Sequence, residues 1–382
     1  MTLLYLVAGE ASGDVLGGRL MAALRARRPD LAFAGIGGSR MAEQGLVSLF
    51  PMEELSLMGL AEVLPRLRGL ARRLAEAEAD VLARRPAALV TIDAPSFTLR
   101  LAARVRPKGV RVIHYVAPQV WAWRQGRVRR IARRIDRLLA LLPFEPPFFE
   151  AAGIPTSFVG HPVLESGADR GNAARFRTTH GIAPETRLLA VMPGSRGGEL
   201  ARHLPVFARA AALLRDRLGT LALAVPTLPR LAEAVRAAPW PVAPIVTADE
   251  TGKHDAWAAA AAALAKSGTT SLELAVAGVP QVVAYRVNPI TAAIVRRLVT
   301  VPHASLVNLL AGEEVVPERL QEQCTPERLA AALLPLLTAT DAAAAQRAAF
   351  VRVLGQLRPP GGLAPSEAAA EAVLAELAAV QR

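Results

Sequence analysis

The chain has 382 residues, 52% of them hydrophobic, enough for two cores of ordinary domain size and too apolar for a disordered polypeptide. Its formal charge of +12 favours phosphate-bearing partners in general. The excess is almost all arginine, with lysine only at 108, 253 and 266, and it accompanies abundant alanine, so charge alone does not define a nucleic-acid binder. The single cysteine, Cys324, excludes an internal disulfide and fits a reducing compartment. No apolar run is long enough to span a bilayer; AWAAAAAALA (256–265) is too short.

In chain order, MTLLYLVAGE lacks a basic leader and reads as a first strand, TLLYLVA (2–8), rather than a signal peptide. The loop GEASGD (9–14) opens a helix through Arg28, and LAFAGIGG is a second strand. A long amphipathic stretch runs to about Arg85. Further strands are expected at 87–95, 110–118, 138–145 and 156–162. Repeated strand–helix–strand alternation implies a parallel sheet covered on both faces, with ligands at the carboxyl ends of the strands. A polar stretch, 165–181, reads as a linker, after which the pattern restarts with strands at 188–196, 221–227, 244–249, 263–270 and 280–287. From about Thr325 the chain is helical and rich in alanine. The expected fold class is therefore α/β: two facing Rossmann-like domains with a cleft between them, at 1–166 and 167–345. The final helices, 346–382, are expected to return to the first domain.

Several motifs carry chemistry, each against a plainer alternative. MPGSRGGE (192–199) joins a strand to a helix. Gly194 and Ser195 would let backbone N–H groups approach a phosphate, and Arg196 could bind a diphosphate bidentately; an ordinary turn competes. AKSGTTSLELAVAGVP (265–280) offers a second donor-rich turn, Lys266, Ser267, Gly268, Thr269 and Thr270, with Glu273 one turn on. A carboxylate there could accept from ribose hydroxyls, or simply favour the helix N-terminus. Two such turns in one sheet favour a nucleotide diphosphate. Neither is G-x-G-x-x-G, no P-loop is present, no Asp-x-Asp pair occurs, and the six histidines show no metal-ligand spacing. Asp93 in IDAPSF (92–97) could take a proton from an attacking alcohol, or cap the helix beginning near Ser96. HYVAPQVWAWRQGRVRR (114–130) concentrates Trp121 and Trp123 in a chain with 4% aromatics. A stacking platform for nucleic acid, a membrane anchor and a cleft wall compete there. The arginines that follow begin a helix whose seam, Val128, Ile131, Ile135 and Leu138, is aliphatic, which disfavours nucleic acid. LSLMGLAEVLPRLRGLARRL (55–74) is apolar nearly all round with basic residues alongside, as in interfacial helices, or is an ordinary core-covering helix.

Together AGEASGD (8–14), MGLAEVLP (58–65), IDAPSF (92–97), HYVAPQVWAWR (114–124), LPFE (142–145), FVGHP (158–162), PGSR (193–196), SGTTSLELA (267–275), VAYRV (283–287) and VNLLAG (307–312) closely resemble the lipid-A-disaccharide synthases, bacterial inverting glycosyltransferases. The motifs occur in family order over nearly the whole chain. The resemblance implies transfer of 2,3-diacylglucosamine from UDP-2,3-diacylglucosamine to the 6-hydroxyl of 2,3-diacylglucosamine 1-phosphate, giving the β-1,6-linked disaccharide 1-phosphate and UDP. It implies the GT-B type of fold, with UDP on the second domain at Gly194, Ser195, Arg196, the 267–270 turn, Glu273 and Asn308. The acceptor side would be the first domain, with Ser12, Met58, Trp121, Trp123 and His161. Asp93 is the expected base and Glu10 the reserve. No metal and no cofactor are expected, and no nucleic-acid partner. Expected localisation is cytoplasmic, peripheral to the inner membrane; oligomeric state is left open. One departure is Glu313, where the family often carries a basic residue after NLLAG. A sugar-nucleotide epimerase of the same fold is the alternative, since fold does not fix reaction.

Overall fold

The structure, a computed structural model, describes residues 2–55, 63–123, 125–288, 291, 292, 298, 299 and 301–380. Met58 and most of the apolar segment 55–68 lie outside the described residues, or have side chains that are not described. The chain divides into two compact units, 1–162 with 357–382, and 163–356.

The first unit is built on six parallel strands in the order β2-β1-β3-β4-β5-β6. They are β1 (Thr2–Ala8), β2 (Leu31–Ile36), β3 (Ala88–Ile92), β4 (Val112–Tyr115), β5 (Arg137–Ala140) and β6 (Thr156–Phe158). β3 and β4 are buried at every position, which is why they read as continuous apolar runs rather than as alternation. The chain's last helix, Pro365–Val380, packs against the helix Ala11–Arg27. Its buried Glu376 is clamped by Arg111 and Arg137, from β5 and the chain leading into β4. A carboxylate withdrawn from water needs such partners, and two guanidinium groups hold it ionised.

The second unit carries five parallel strands in the order β11-β10-β9-β7-β8. These are β7 (Leu188–Met192), β8 (Ala222–Ala224), β9 (Ala262–Lys266), β10 (Gln281–Tyr285) and β11 (Glu318–Leu320). Its main core sets Phe207 and Leu214 of the helix Gly197–Leu218 against Leu189, Leu264 and Leu333. The segment expected as a strand at 244–249 makes only a bridge, Ala224 to Ile245. Pro239, Pro241 and Pro244 precede that bridge and withhold the donors that a longer ladder needs. β11, three residues long, carries no readable alternation. The return to the first unit comes at residue 357, later than the expected 346. The helix Thr340–Gln356 stays with the second unit, where Gln346 accepts from the Gln281 N–H at 2.8 Å. No single helix among the described residues is long and apolar enough to cross a membrane.

In each sheet the strand order reverses once: between β1 and β3 in the first, and between β7 and β9 in the second. At such a reversal the connections leave on opposite faces and open a crevice at the carboxyl ends of the strands.

Candidate functional site

At the first reversal Ala8 stands opposite Ile92, and the two strands end in Gly9–Ser12 and Asp93–Ala94. Asp93 and Ala94 are both left-handed, with φ of 49° and 43°. Non-glycine residues hold that conformation only when the surroundings impose it. Here the Asp93 N–H donates to the Tyr115 carbonyl at 2.9 Å. The Thr98 hydroxyl donates to the Asp93 carbonyl at 2.7 Å. Gly9 leaves room for the turn: a Cβ there would lie 2.6 Å from that of Ala94. The Asp93 carboxylate accepts from the Ala94 N–H and the Ser12 hydroxyl, but burial outweighs both and raises its pKa above the usual aspartate value. The cap position of the helix Pro95–Val105 belongs to Ala94, with no side-chain cap, so Asp93 does not act as the helix cap that the sequence also allowed.

Glu10 is exposed at the cap position of the helix Ala11–Arg27 and makes no capping hydrogen bond with its side chain. Asp14 has a different task. Buried, it accepts from the N–H groups of Gly38, Arg40 and Met41 at 2.8, 2.9 and 3.0 Å, fixing the chain after β2. His161 is buried beside the return of the chain, its backbone N–H donating to the Leu357 carbonyl at 3.0 Å. Burial lowers its pKa to about 4, so it is neutral at physiological pH.

The two tryptophans of the aromatic segment separate. Trp123 is 41% exposed. Trp121 is 8% exposed; its indole N–H donates to Glu145 at 3.1 Å and its ring meets Phe144 edge-on at 4.9 Å. Glu145 also accepts from the N–H groups of Leu141 and Leu142, and burial pushes its pKa up to about 7. Trp121 therefore braces the LPFE turn. The indole's one donor has found a buried acceptor there.

At the second reversal, Gly194, Ser195, Gly268, Thr269, Thr270 and Glu273 line one cavity of about 350 Å³. Gly194 has φ of 126°, and a Cβ there would meet the Glu199 carboxylate at 2.6 Å. Glu199 accepts from the Ser195 N–H at 3.1 Å and pairs with Lys266 at 3.1 Å, which ties the two turns together. Burial opposes the Glu199 charge, yet Lys266 and the Ser195 N–H outweigh it and hold the pKa low. Arg196 is exposed at the cap position of the helix Gly197–Leu218, beside the cavity rather than among its lining residues. The Ser267 hydroxyl is turned away, donating to the Ala304 carbonyl at 2.8 Å.

Asn308 is fully buried. Its amide donates to the Val316 carbonyl and to Glu318, both at 2.8 Å, and accepts from the Val316 N–H at 2.8 Å. Glu318 in turn accepts from the N–H groups of Ala304 and Ser305, both at 2.9 Å. Asn308 thus braces the 304–318 loop. Glu313 lies on the surface, 3.5 Å from Arg352.

Sequence reasoning missed Lys253 and Trp257, which also line the cavity. Lys253 sits 5.0 Å above the Trp257 ring and 3.4 Å from Glu273. A signal was present: two of the three lysines in an arginine-rich chain, Lys253 and Lys266, meet here. Among the described residues no group of three His, Cys, Asp or Glu side chains is placed to hold a metal ion.

Two parallel α/β units, each with its motif-bearing turns at the reversal of strand order, define the GT-B class shared by glycosyltransferases and sugar-nucleotide epimerases. The calicheamicin glycosyltransferase CalG4 superposes with a TM-score of 0.60 at 18% identity, covering all of both chains. A UDP-GlcNAc 2-epimerase from Neisseria meningitidis superposes at 0.64 with 10% identity and equal coverage. These likenesses carry the fold alone. The particular family comes from sequence. The family model for lipid-A-disaccharide synthetase matches residues 4–372. The lipid-A-disaccharide synthase of Rhodospirillum centenum is 53% identical, over 97% of this chain and 94% of that protein. The Gluconobacter oxydans enzyme is 52% identical over 97% and 89%. The chain belongs to the lipid-A-disaccharide synthase family, glycosyltransferases of lipid A biosynthesis that use UDP-sugar substrates.

Proposed function

We propose that the chain transfers 2,3-diacylglucosamine from UDP to the 6-hydroxyl of 2,3-diacylglucosamine 1-phosphate, making a β-1,6 linkage by a single inverting displacement. The observation that carries this reading is the cavity at the β7/β9 reversal, which gathers six of the nine residues nominated for UDP. The N–H groups of Gly194 and of the Gly268–Thr270 turn face developing diphosphate charge, and Arg196 and Lys266 add cations beside it. Glu273 accepts from the ribose hydroxyls, exchanging its contact with Lys253 for them. Ser267 and Asn308 act through the 304–318 loop rather than by contact.

The first unit supplies the base. Asp93 takes the proton of the acceptor hydroxyl as that oxygen attacks the anomeric carbon, and the sugar–phosphate bond breaks on the opposite side. Burial raises its pKa and so makes it a stronger base than an ordinary aspartate. Glu10, exposed to water, is the weaker candidate, and Trp123 and Met58 remain acceptor-side residues. Because both substrates are acylated, the enzyme works at the cytoplasmic face of the inner membrane, held peripherally.

The test is a UDP-release assay with the UDP-diacylglucosamine donor. UDP should appear only when the diacylglucosamine 1-phosphate acceptor is added. Release at the same rate without acceptor would replace transfer by hydrolysis or epimerisation.

A further inference from the structure

A second cavity, of about 310 Å³, lies in the first unit away from Asp93. Leu70, Ala71 and Leu74 of the helix Val63–Arg84 and Ala103 of the helix Pro95–Val105 form its apolar floor. Arg100, Arg104 and Arg134 stand on its rim, from two different segments. Arg104 is paired with Glu78 at 3.1 Å. Arg100, Arg130 and Arg134 have no carboxylate partner among the described residues. The charged groups that act on Arg134 are Arg130 and Arg100, and with burial they make its guanidinium easier to deprotonate than usual. Other acids nearby are already engaged: Glu78 holds Arg104 and Lys108, and Glu54 and Glu76 hold Arg73.

Mutually repelling cations beside an apolar floor cost the folded state free energy unless an anion joins them. The floor makes the fitting anion an amphiphile: a phosphate for the arginines, and hydrocarbon for Leu70 and Leu74. We propose that this cavity binds the phosphate group of an anionic bilayer phospholipid, with Arg100 and Arg134 holding the phosphate and the first carbons of its tails covering Leu70, Ala71 and Leu74. Arg100 and Arg104 lie roughly 8 and 14 Å along their helix from the end that carries Asp93. That distance separates this site from the reacting centre. A volume of this size admits a headgroup phosphate and the start of its tails, not a diacylated sugar. The inference deepens the membrane-surface reading above, but does not depend on the assignment of the base or of the UDP cavity.

The experiment compares wild type with Arg100→Gln/Arg134→Gln, and with Arg209→Gln/Arg217→Gln, which removes the same charge from the exposed side of a helix in the second unit. Each protein is sedimented with vesicles of phosphatidylcholine alone or with added phosphatidylglycerol. Each is also titrated calorimetrically with monomeric dihexanoyl phosphatidylglycerol, and separately with inorganic phosphate. Removing two arginines that hold phosphate should weaken phosphatidylglycerol-dependent sedimentation by about 20-fold, roughly five-fold each. It should also abolish the calorimetric signal for the short-chain lipid, while the control pair stays within about twofold of wild type. Equal losses in both pairs would show diffuse attraction and overturn the site. Inorganic phosphate binding as tightly as the short-chain lipid would overturn the lipid assignment. A KM for the diacylglucosamine 1-phosphate acceptor that rises with the lipid loss would reassign the cavity to the acceptor's own phosphate and overturn the bilayer reading. UDP affinity and a melting point unchanged in the first pair separate failure here from misfolding and from failure of the UDP reading.

Discussion

The two reversals of strand order hold opposite kinds of turn. After β3 the chain is cramped: Asp93 and Ala94 are forced left-handed, Gly9 is kept bare to admit them, and the carboxylate is half-buried. After β7 and β9 the turns are open, rich in donors and flanked by cations, with the long side chains of Lys253 and Lys266 paired loosely to Glu273 and Glu199. The difference fits the roles proposed for each. A base gains strength when burial disfavours its charge, and an over-determined turn holds it in place. A diphosphate arrives with its charge and leaves with it, which suits a turn of N–H groups and cations that exchange partners cheaply.

Asp93→Asn is the strongest way to break that contrast. Asparagine tolerates the left-handed backbone and keeps the shape but cannot take a proton. Turnover should fall by about 10²–10⁴-fold with UDP affinity unchanged by calorimetry. The sign for stability is opposite to that of an ordinary salt-bridged carboxylate. A raised folded pKa means that the protonated form suits the native state, and that its stabilisation is lost as pH rises past the ordinary aspartate value and through the folded one. At pH 8 the asparagine variant should therefore melt no lower than wild type. Full activity in a stable variant would move the base to Glu10.

Arg196→Ala tests the open turn. A charge-assisted hydrogen bond to diphosphate is worth about 1.5–3 kcal/mol, so UDP should bind roughly ten- to a hundred-fold more weakly, with the melting point unmoved because the side chain is exposed. Calorimetry that finds unaltered UDP affinity would remove Arg196 from the site.

Lys253→Ala asks how much of the open site is held by loose pairs. It removes the single cation that both faces Glu273 and lies above Trp257, and that pair with Glu273 is partly exposed, so the expected loss in UDP affinity is smaller, about three- to tenfold. A gain in affinity would mean that Lys253 competes with the ribose for Glu273.

Ser12→Ala has the smallest effect and is the most diagnostic of the cramped turn. The Ser12 hydroxyl donates to Asp93 and favours its ionised form, so removing it raises the pKa further. A base acts ionised, and the rate falls as pH drops through its pKa. The acid limb of the kcat profile should therefore move to higher pH in the variant, with kcat at its plateau within about tenfold of wild type. An acid limb that stays in place would show that Ser12 does not touch the base in the working enzyme.

Much of this was legible in the chain. The buried strands β1, β3, β4, β7 and β9 are short apolar runs that stop at glycine, proline or a polar turn, and hydrophobic burial with local turn chemistry is enough to specify them. The motifs at 8–14, 92–97, 193–196 and 267–275 stand at strand ends for the same reason, so family and candidate turns could be read without coordinates. Other features depended on residues far apart in sequence. The order β2-β1-β3, which sets Gly9 beside Ala94 and Ser12 beside Asp93, is a choice of neighbours among parallel strands, and no local pattern encodes it. Trp121 looked like a ring offered to a ligand until Glu145, 24 residues on, claimed its only donor. Asn308 looked like a ligand contact until Val316 and Glu318 used its whole amide. Lys253 reaches the cavity from a helix that no motif marked. A polar side chain can meet either a ligand or the protein's own backbone, and sequence names the group without naming the partner. Only tertiary structure decides that, because an unpaired donor or acceptor is expensive once buried and takes whichever partner the fold brings within reach.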